Sequence, residues 1–108
     1  MSNLINLTEE TFETLVMNSD TPSVIDFYAD WCGPCKLVGP IMDSLAAKYS
    51  GKVNFYKVNI DEQKKLAISH KVMSIPTVFF VAKGEIKDKI IGAVPQAAFE
   101  DKIDNLVK

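Results

Sequence analysis

The chain has two cysteines, and both lie in Trp31-Cys32-Gly33-Pro34-Cys35-Lys36. Residues at i and i+3 of a helical turn are near neighbours, so the two thiols are within reach of disulfide geometry. The loop such a bridge closes is very short, and chain entropy gives it only ~2 kcal/mol of stabilisation. A link that staples so little is better read as one made to open and close than as scaffolding. A zinc reading fails on ligand number, because two cysteines and the distant His70 leave a four-ligand site incomplete within one chain.

The flanking segments decide what the thiols can do. Residues 24–29, Val-Ile-Asp-Phe-Tyr-Ala, have strand length and strand composition. After the motif, Val38, Ile41, Met42, Leu45, Ala46 and Tyr49 recur at the spacing of one buried helix face. The thiols therefore sit where a strand hands over to a helix start. Backbone N–H groups there lack intrahelical partners and the helix dipole is positive, which favours the reactive thiolate. On this reading Cys32 is the nucleophile, and Cys35, one turn further in and less exposed, is the resolving thiol. Gly33 lets another backbone approach, and Pro34 suits a first helical turn. Asp26 is a charged residue in a strand that otherwise reads as buried. It is either a satisfied ion-pair or water-bound carboxylate, or a group whose pKa burial raises so that it can exchange protons with a thiol. Lys57, on a neighbouring strand candidate, is either its partner or a solvated lysine.

The rest of the chain supplies a scaffold. Residues 4–7 are a short strand candidate, and Thr8 is the expected cap of a helix carrying Phe12, Leu15 and Val16. Pro40 falls inside the motif helix, where it should kink it, and Gly51 ends it. Residues 53–58 alternate as a strand, and Asp61 is expected to cap a short helix with Leu66, Ala67 and Ile68. Ser74-Ile75-Pro76-Thr77 breaks the chain before a buried strand at 78–81. Lys83-Gly84 turns into Glu85–Ile91, and Pro95 opens a last helix with Phe99, Ile103, Leu106 and Val107 inward. The order βαβαβαββα predicts an α/β fold, a mixed central sheet with helices on both faces, in one domain over residues 1–108.

With 47% apolar residues the chain can build a core without disulfides, and a formal charge of −2 argues against a grip on nucleic acid or an anionic membrane. The first residues hold no basic region and no long apolar run, so no secretory signal is read, and the reading is a cytoplasmic, reduced-compartment protein. No nucleotide-binding glycine pattern is present, so no bound cofactor is expected beyond a redox-active Cys32–Cys35 disulfide.

Taken together, residues 26–36, Pro40, Lys57, Asp61, Ile75-Pro76-Thr77, Gly84 and Gly92 resemble the thioredoxin family over essentially the whole chain. The resemblance implies the thioredoxin fold, a central mixed β-sheet flanked by four helices, with the cysteines at the edge of a flat apolar surface. It implies reduction of disulfides in client proteins by a monomer that a thioredoxin reductase recharges. It implies proton transfer at Asp26, and a cis bond before Pro76, where base rates alone favour trans. Such a bond would leave the Ile75 backbone open to pair with an extended client chain. Trp31, Ile75, Ile91, Gly92 and Ala93 become the expected docking surface, although Trp31 also fits a half-buried packing role. Gly33-Pro34 between the cysteines resembles the reductases of the family rather than its oxidases and isomerases. Tyr28 departs from the family, where Trp is frequent. Two other readings are a disulfide isomerase and an interaction module or subunit whose redox state only switches binding.

Overall fold

A computed structural model describes residues 3–108. Met1 and Ser2, which the single-domain and leader readings include, lie outside the described residues. The elements are β1 (Ile5–Asn6), a π-helix (Glu13–Met17), β2 (Ser23–Tyr28), α1 (Cys35–Lys48), β3 (Asn54–Asn59), α2 (Lys64–Ser69), β4 (Thr77–Ala82), β5 (Glu85–Ile91) and α3 (Gln96–Leu106). They follow the expected order, with the π-helix as first helix. The sheet runs β1-β3-β2-β4-β5, with β3 parallel to β1 and β2, and β4 antiparallel to β2 and β5.

The period-2 alternation of the inner strands divides the core in two. Val24, Phe55, Val78 and Phe80 face α1 and α3, meeting Val38, Met42, Leu45, Phe99 and Ile103. Ile25, Phe27, Tyr56, Val58, Phe79 and Val81 face the other way, meeting Phe12 and Val16 around the π-helix and Leu66 of α2. Continuous apolar runs on β2 and β4 are thus explained by burial on both faces. The same alternation puts Asp26 on the α1 side, two residues after Val24. Lys57 is its register partner on β3.

Five expectations change. Thr8 does cap a turn, since the Thr11 N–H donates to its Oγ1 at 3.2 Å. The regular helix nevertheless begins only at Glu13, and the Asn18 N–H reaches the Glu13 carbonyl at 2.9 Å, an i to i−5 bond. That wider winding rotates the face, so Leu15 emerges while Phe12 and Val16 stay buried. Asp61 does not cap α2. Asn59 Oδ1 makes the turn instead, accepting from the Asp61 and Glu62 N–H groups at 2.9 and 3.3 Å. Ile68 lies on the outer face of α2, and Val107 follows α3 as its exposed cap.

Lys83 and Gly84 form the two-residue turn between β4 and β5 with φ of 54° and 73°. Positive φ at both central positions matches the twist of a hairpin. A Cβ on Gly84 would also stand 3.1 Å from the Met17 carbonyl oxygen. Gly84→Ala is therefore expected to lower stability by about 1–3 kcal/mol, read as a lower urea midpoint at an unchanged slope.

Candidate active site: a disulfide at a helix start above a buried carboxylate

Cys32 and Cys35 are joined in a disulfide with a Cα–Cα distance of 5.4 Å. Cys32 lies in the turn after β2, where its N–H donates to the Ala29 carbonyl at 3.2 Å. Pro34, with φ −58° and ψ −29°, is the N-cap of α1 and Cys35 is its first residue. The consequence is electrostatic. The Cys35 backbone N–H donates to Cys32 Sγ at 3.2 Å, so an orphan donor of the helix start points at the first sulfur. A negative charge on that sulfur would be stabilised there. The expectation that Cys35 is the less exposed thiol does not hold in this oxidised form. Cys32 and Cys35 are 4% and 6% exposed, and both pack with Ala29, Tyr28, Ile60 and Ile75. The bridge holds both sulfurs against the same small apolar cluster.

Around the bridge lies an exposed apolar surface. Trp31 is 69% exposed, which removes the packing alternative for it. Its indole N–H donates to Asp61 Oδ2 at 2.8 Å, so the carboxylate expected to cap α2 instead orients the ring. The Ile75–Pro76 bond is cis. Among the described residues, no backbone partner bonds to Ile75, whereas the Pro76 carbonyl accepts from the Gly92 N–H at 2.8 Å. That bond sets Gly92, with φ 98°, beside the proline. Ile91 pairs with Thr77 across β5 and β4 and is exposed, as is Ala93. The structure thus packs Ile75 against the sulfurs and sets Gly92, between exposed Ile91 and Ala93, beside the cis proline, while Trp31 directly precedes Cys32 in the chain. It adds Met73, 93% exposed, which lines a cavity together with Ile91. Met73 was missed because a lone methionine in a loop carries no periodicity.

Beneath the bridge, Asp26 is 4% exposed. Among the described residues its Oδ1 has no hydrogen-bond partner and no ion pair joins it to Lys57. The satisfied ion-pair alternative is therefore not what the fold builds. Burial pushes the Asp26 carboxyl from its ordinary 3.8 up to about 7, against the pull of the Lys57 charge and with help from Asp43. Asp26, Lys57, Asp43 and Cys35 line one cavity of about 240 Å³. Asp43 is unforeseen, though a signal was available: Cys35, Gly39 and Asp43 recur every four residues, one stripe of α1. Tyr28, in the position where the family often has Trp, also lines the cavity, and burial raises its hydroxyl pKa.

His70 is half-buried. Its ring lies 4.6 Å from that of Phe12, and its Nδ1 donates to the Leu66 carbonyl at 2.9 Å. Among the described residues no group of three or more His, Cys, Asp or Glu is placed to hold a metal ion. Among them, too, no helix is long and apolar enough to cross a membrane.

The family model described as Thioredoxin matches residues 3–105. The chain is 44% identical over 99 residues to "Thioredoxin M-type, chloroplastic" of Pisum sativum, an alignment covering 92% of this chain and 58% of that protein. It is 38% identical over 104 residues to "Thioredoxin 1" of a Nostoc strain, covering 96% of this chain and 97% of that protein. "Thioredoxin" of Haemophilus influenzae is 36% identical over 104 residues, with 96% and 97% covered. The chain thus spans little more than half the length of the plant relatives, 58% for pea and 56% for Brassica napus, and nearly all of the bacterial ones.

Proposed function

From the premise that this chain belongs to the thioredoxin family, we propose that it is a thiol–disulfide oxidoreductase that reduces disulfides in client proteins. The observation that carries this is the Cys32–Cys35 bridge with a helix-start N–H aimed at the Cys32 sulfur. In the reduced form the Cys32 thiolate attacks one sulfur of a client disulfide. A Cys32–client mixed disulfide forms and the other client sulfur leaves as a thiolate. Cys35 gives its proton to Asp26 and attacks Cys32 Sγ. The second client sulfur leaves and takes up a proton, and the Cys32–Cys35 bridge is restored. Two electrons have passed from the dithiol to the client.

Each neighbouring group has a part in this cycle. Asp26, with a carboxyl pKa near 7, holds a proton at neutral pH about as readily as it gives one up, the property wanted of a proton exchanger. Lys57 lies next to it in register and favours its charged form. Gly33 and Pro34 keep the link between the thiols short and start the helix. Trp31, Ile75, Ile91, Gly92 and Ala93 receive the client, with the unpaired Ile75 backbone as a strand-like edge. Client disulfides and a thioredoxin reductase are the partners, and the protein works as a monomer without nucleic acid or membrane. A reduced compartment suits this direction. The cytoplasm is the simpler assignment, and a plastid is the other, since the pea and spinach relatives carry that location in their names.

The exposed apolar surface also suits a binding module, in which redox state only switches complex formation. Insulin reduction with dithiothreitol separates the two readings. The wild type should accelerate precipitation strongly, and Cys32→Ser should not. A wild type without acceleration, or a Cys32→Ser variant that binds partners as tightly as before, would favour the module. Refolding of scrambled ribonuclease beyond simple reduction would favour an isomerase. Equilibration of the couple with glutathione fixes the direction, and a potential more oxidising than the glutathione pool would reverse it.

A further inference from the structure

The cavity beneath the bridge holds a second carboxylate that the cycle above does not use. Asp43 lies on α1, two turns beyond Cys35, and lines the same space as Asp26, Lys57 and Cys35. It is held from outside the helix. The Asn3 backbone N–H donates to Asp43 Oδ1 at 2.8 Å, and Asn3 Nδ2 donates to the Asp43 carbonyl at 3.1 Å. Leu4, the next residue, is itself buried against the cavity. The segment leading into β1 therefore clips the half-buried Asp43 side chain at the solvent-facing rim of the cavity. Asp26 lines that cavity with Oδ1 unpartnered.

We propose that Asp43, clipped by Asn3, is a positioning residue for proton transfer, acting on Asp26 across the cavity in opposition to Lys57. This rests on the reading of Asp26 as the proton-transfer group. The charged and titratable groups facing Asp26 are few. Lys57 comes from β3, Asp43 and the bridged Cys35 from α1, and Tyr28 from β2, while β4 presents Val78. Lys57 favours the carboxylate, and Asp43 disfavours it, consistent with the direction in which each moves the Asp26 carboxyl. Across a cavity open to solvent on one side, with Asp43 and Lys57 half-buried, such opposed charges are partly screened and still act on a carboxyl as deeply buried as Asp26. With Asp43 present, Asp26 keeps its proton to a higher pH, so the site stays poised rather than permanently ionised by Lys57.

The test follows the Asp26 carboxyl by ¹³C NMR across pH in the oxidised protein, beside the pH profile of insulin reduction. Wild type, Asp43→Asn, Asp43→Glu, Asp26→Ala and the Asp26→Ala/Asp43→Asn double variant are compared. Asp43→Asn should move the Asp26 midpoint to lower pH and carry the acid limb of the rate profile with it. Asp43→Glu, which keeps the charge, should stay near wild type. In the Asp26→Ala background Asp43→Asn should change neither rate nor profile. An Asp26 midpoint unmoved in Asp43→Asn, or an equal effect of Asp43→Asn with and without Asp26, would overturn the proposal. If Asp26→Ala alone reduces insulin at the wild-type rate and profile, it is the reading of Asp26 that fails, and the NMR midpoint still decides whether Asp43 acts on it.

Discussion

In a Cys35→Ser variant, client proteins should accumulate as mixed disulfides on Cys32 while multiple-turnover reduction falls on the order of 10³-fold or more. The first step needs only a thiolate at residue 32, and serine at 35 leaves the helix-start N–H that donates to that sulfur in place. The second step needs a sulfur nucleophile within bonding reach, and a serine hydroxyl is a poor substitute. Reaction therefore stops with one covalent bond to the client. Non-reducing gels of the variant mixed with disulfide-bearing clients should show adducts that dithiothreitol releases. Cys32→Ser should trap none. The bridged sulfurs are similarly buried, so the asymmetry cannot come from exposure in the oxidised state. It comes from the N–H directed at Cys32 Sγ, and after reduction iodoacetamide should modify Cys32 much faster than Cys35. Trapping by Cys32→Ser, or equal alkylation rates, would exchange the two roles.

How much of this could be read from the residues follows from what kind of signal each part carries. β5 matches its expected bounds and the Lys83-Gly84 turn its expected place, because turn chemistry and alternation are local. The Cys-Gly-Pro-Cys start of α1 is equally local. Asp26 stood out because a charge inside a buried strand violates the pattern around it, and strand register then set Lys57 beside it. What went unread depends on winding or on distant contacts. The wider i to i−5 winding of the π-helix is invisible to a 3.6-residue period, and it turned Leu15 outward. Asp61 has the composition of a cap, yet its carboxylate is taken by an indole 30 positions away. Asn59, at the end of a strand, did the local work instead. Asp43 lay on the right stripe of α1, but only the fold reveals that the stripe borders a cavity over Asp26.

Asp26→Ala is expected to make the protein more stable and a worse reductant at once. The carboxyl is pushed from 3.8 to about 7 by burial, with one oxygen unpartnered. Between those two values the folded protein holds a proton that the unfolded chain has lost. The native state then binds more protons, so wild-type stability falls as pH rises from about 3.8 to about 7 and levels off above. The full penalty is on the order of 4 kcal/mol. Alanine removes it but leaves a small void and takes a nearby negative charge away from Lys57, so the net gain at about pH 8 should be roughly 1–3 kcal/mol. Below about pH 4 the gain should vanish, since both states of the wild type then carry the proton. Function moves the other way. Near neutral pH few Cys35 thiols ionise unaided, and loss of the proton acceptor should slow the resolving step by roughly 10²-fold. The deficit should shrink as pH approaches the thiol's own range, where Cys35 needs no acceptor. Urea melts of both proteins across pH, set beside single-turnover resolution of a preformed mixed disulfide, measure the two effects separately. A variant that is destabilised at about pH 8 and resolves mixed disulfides at the wild-type rate would make Asp26 a structural partner of Lys57 and leave Cys35 to lose its proton to water.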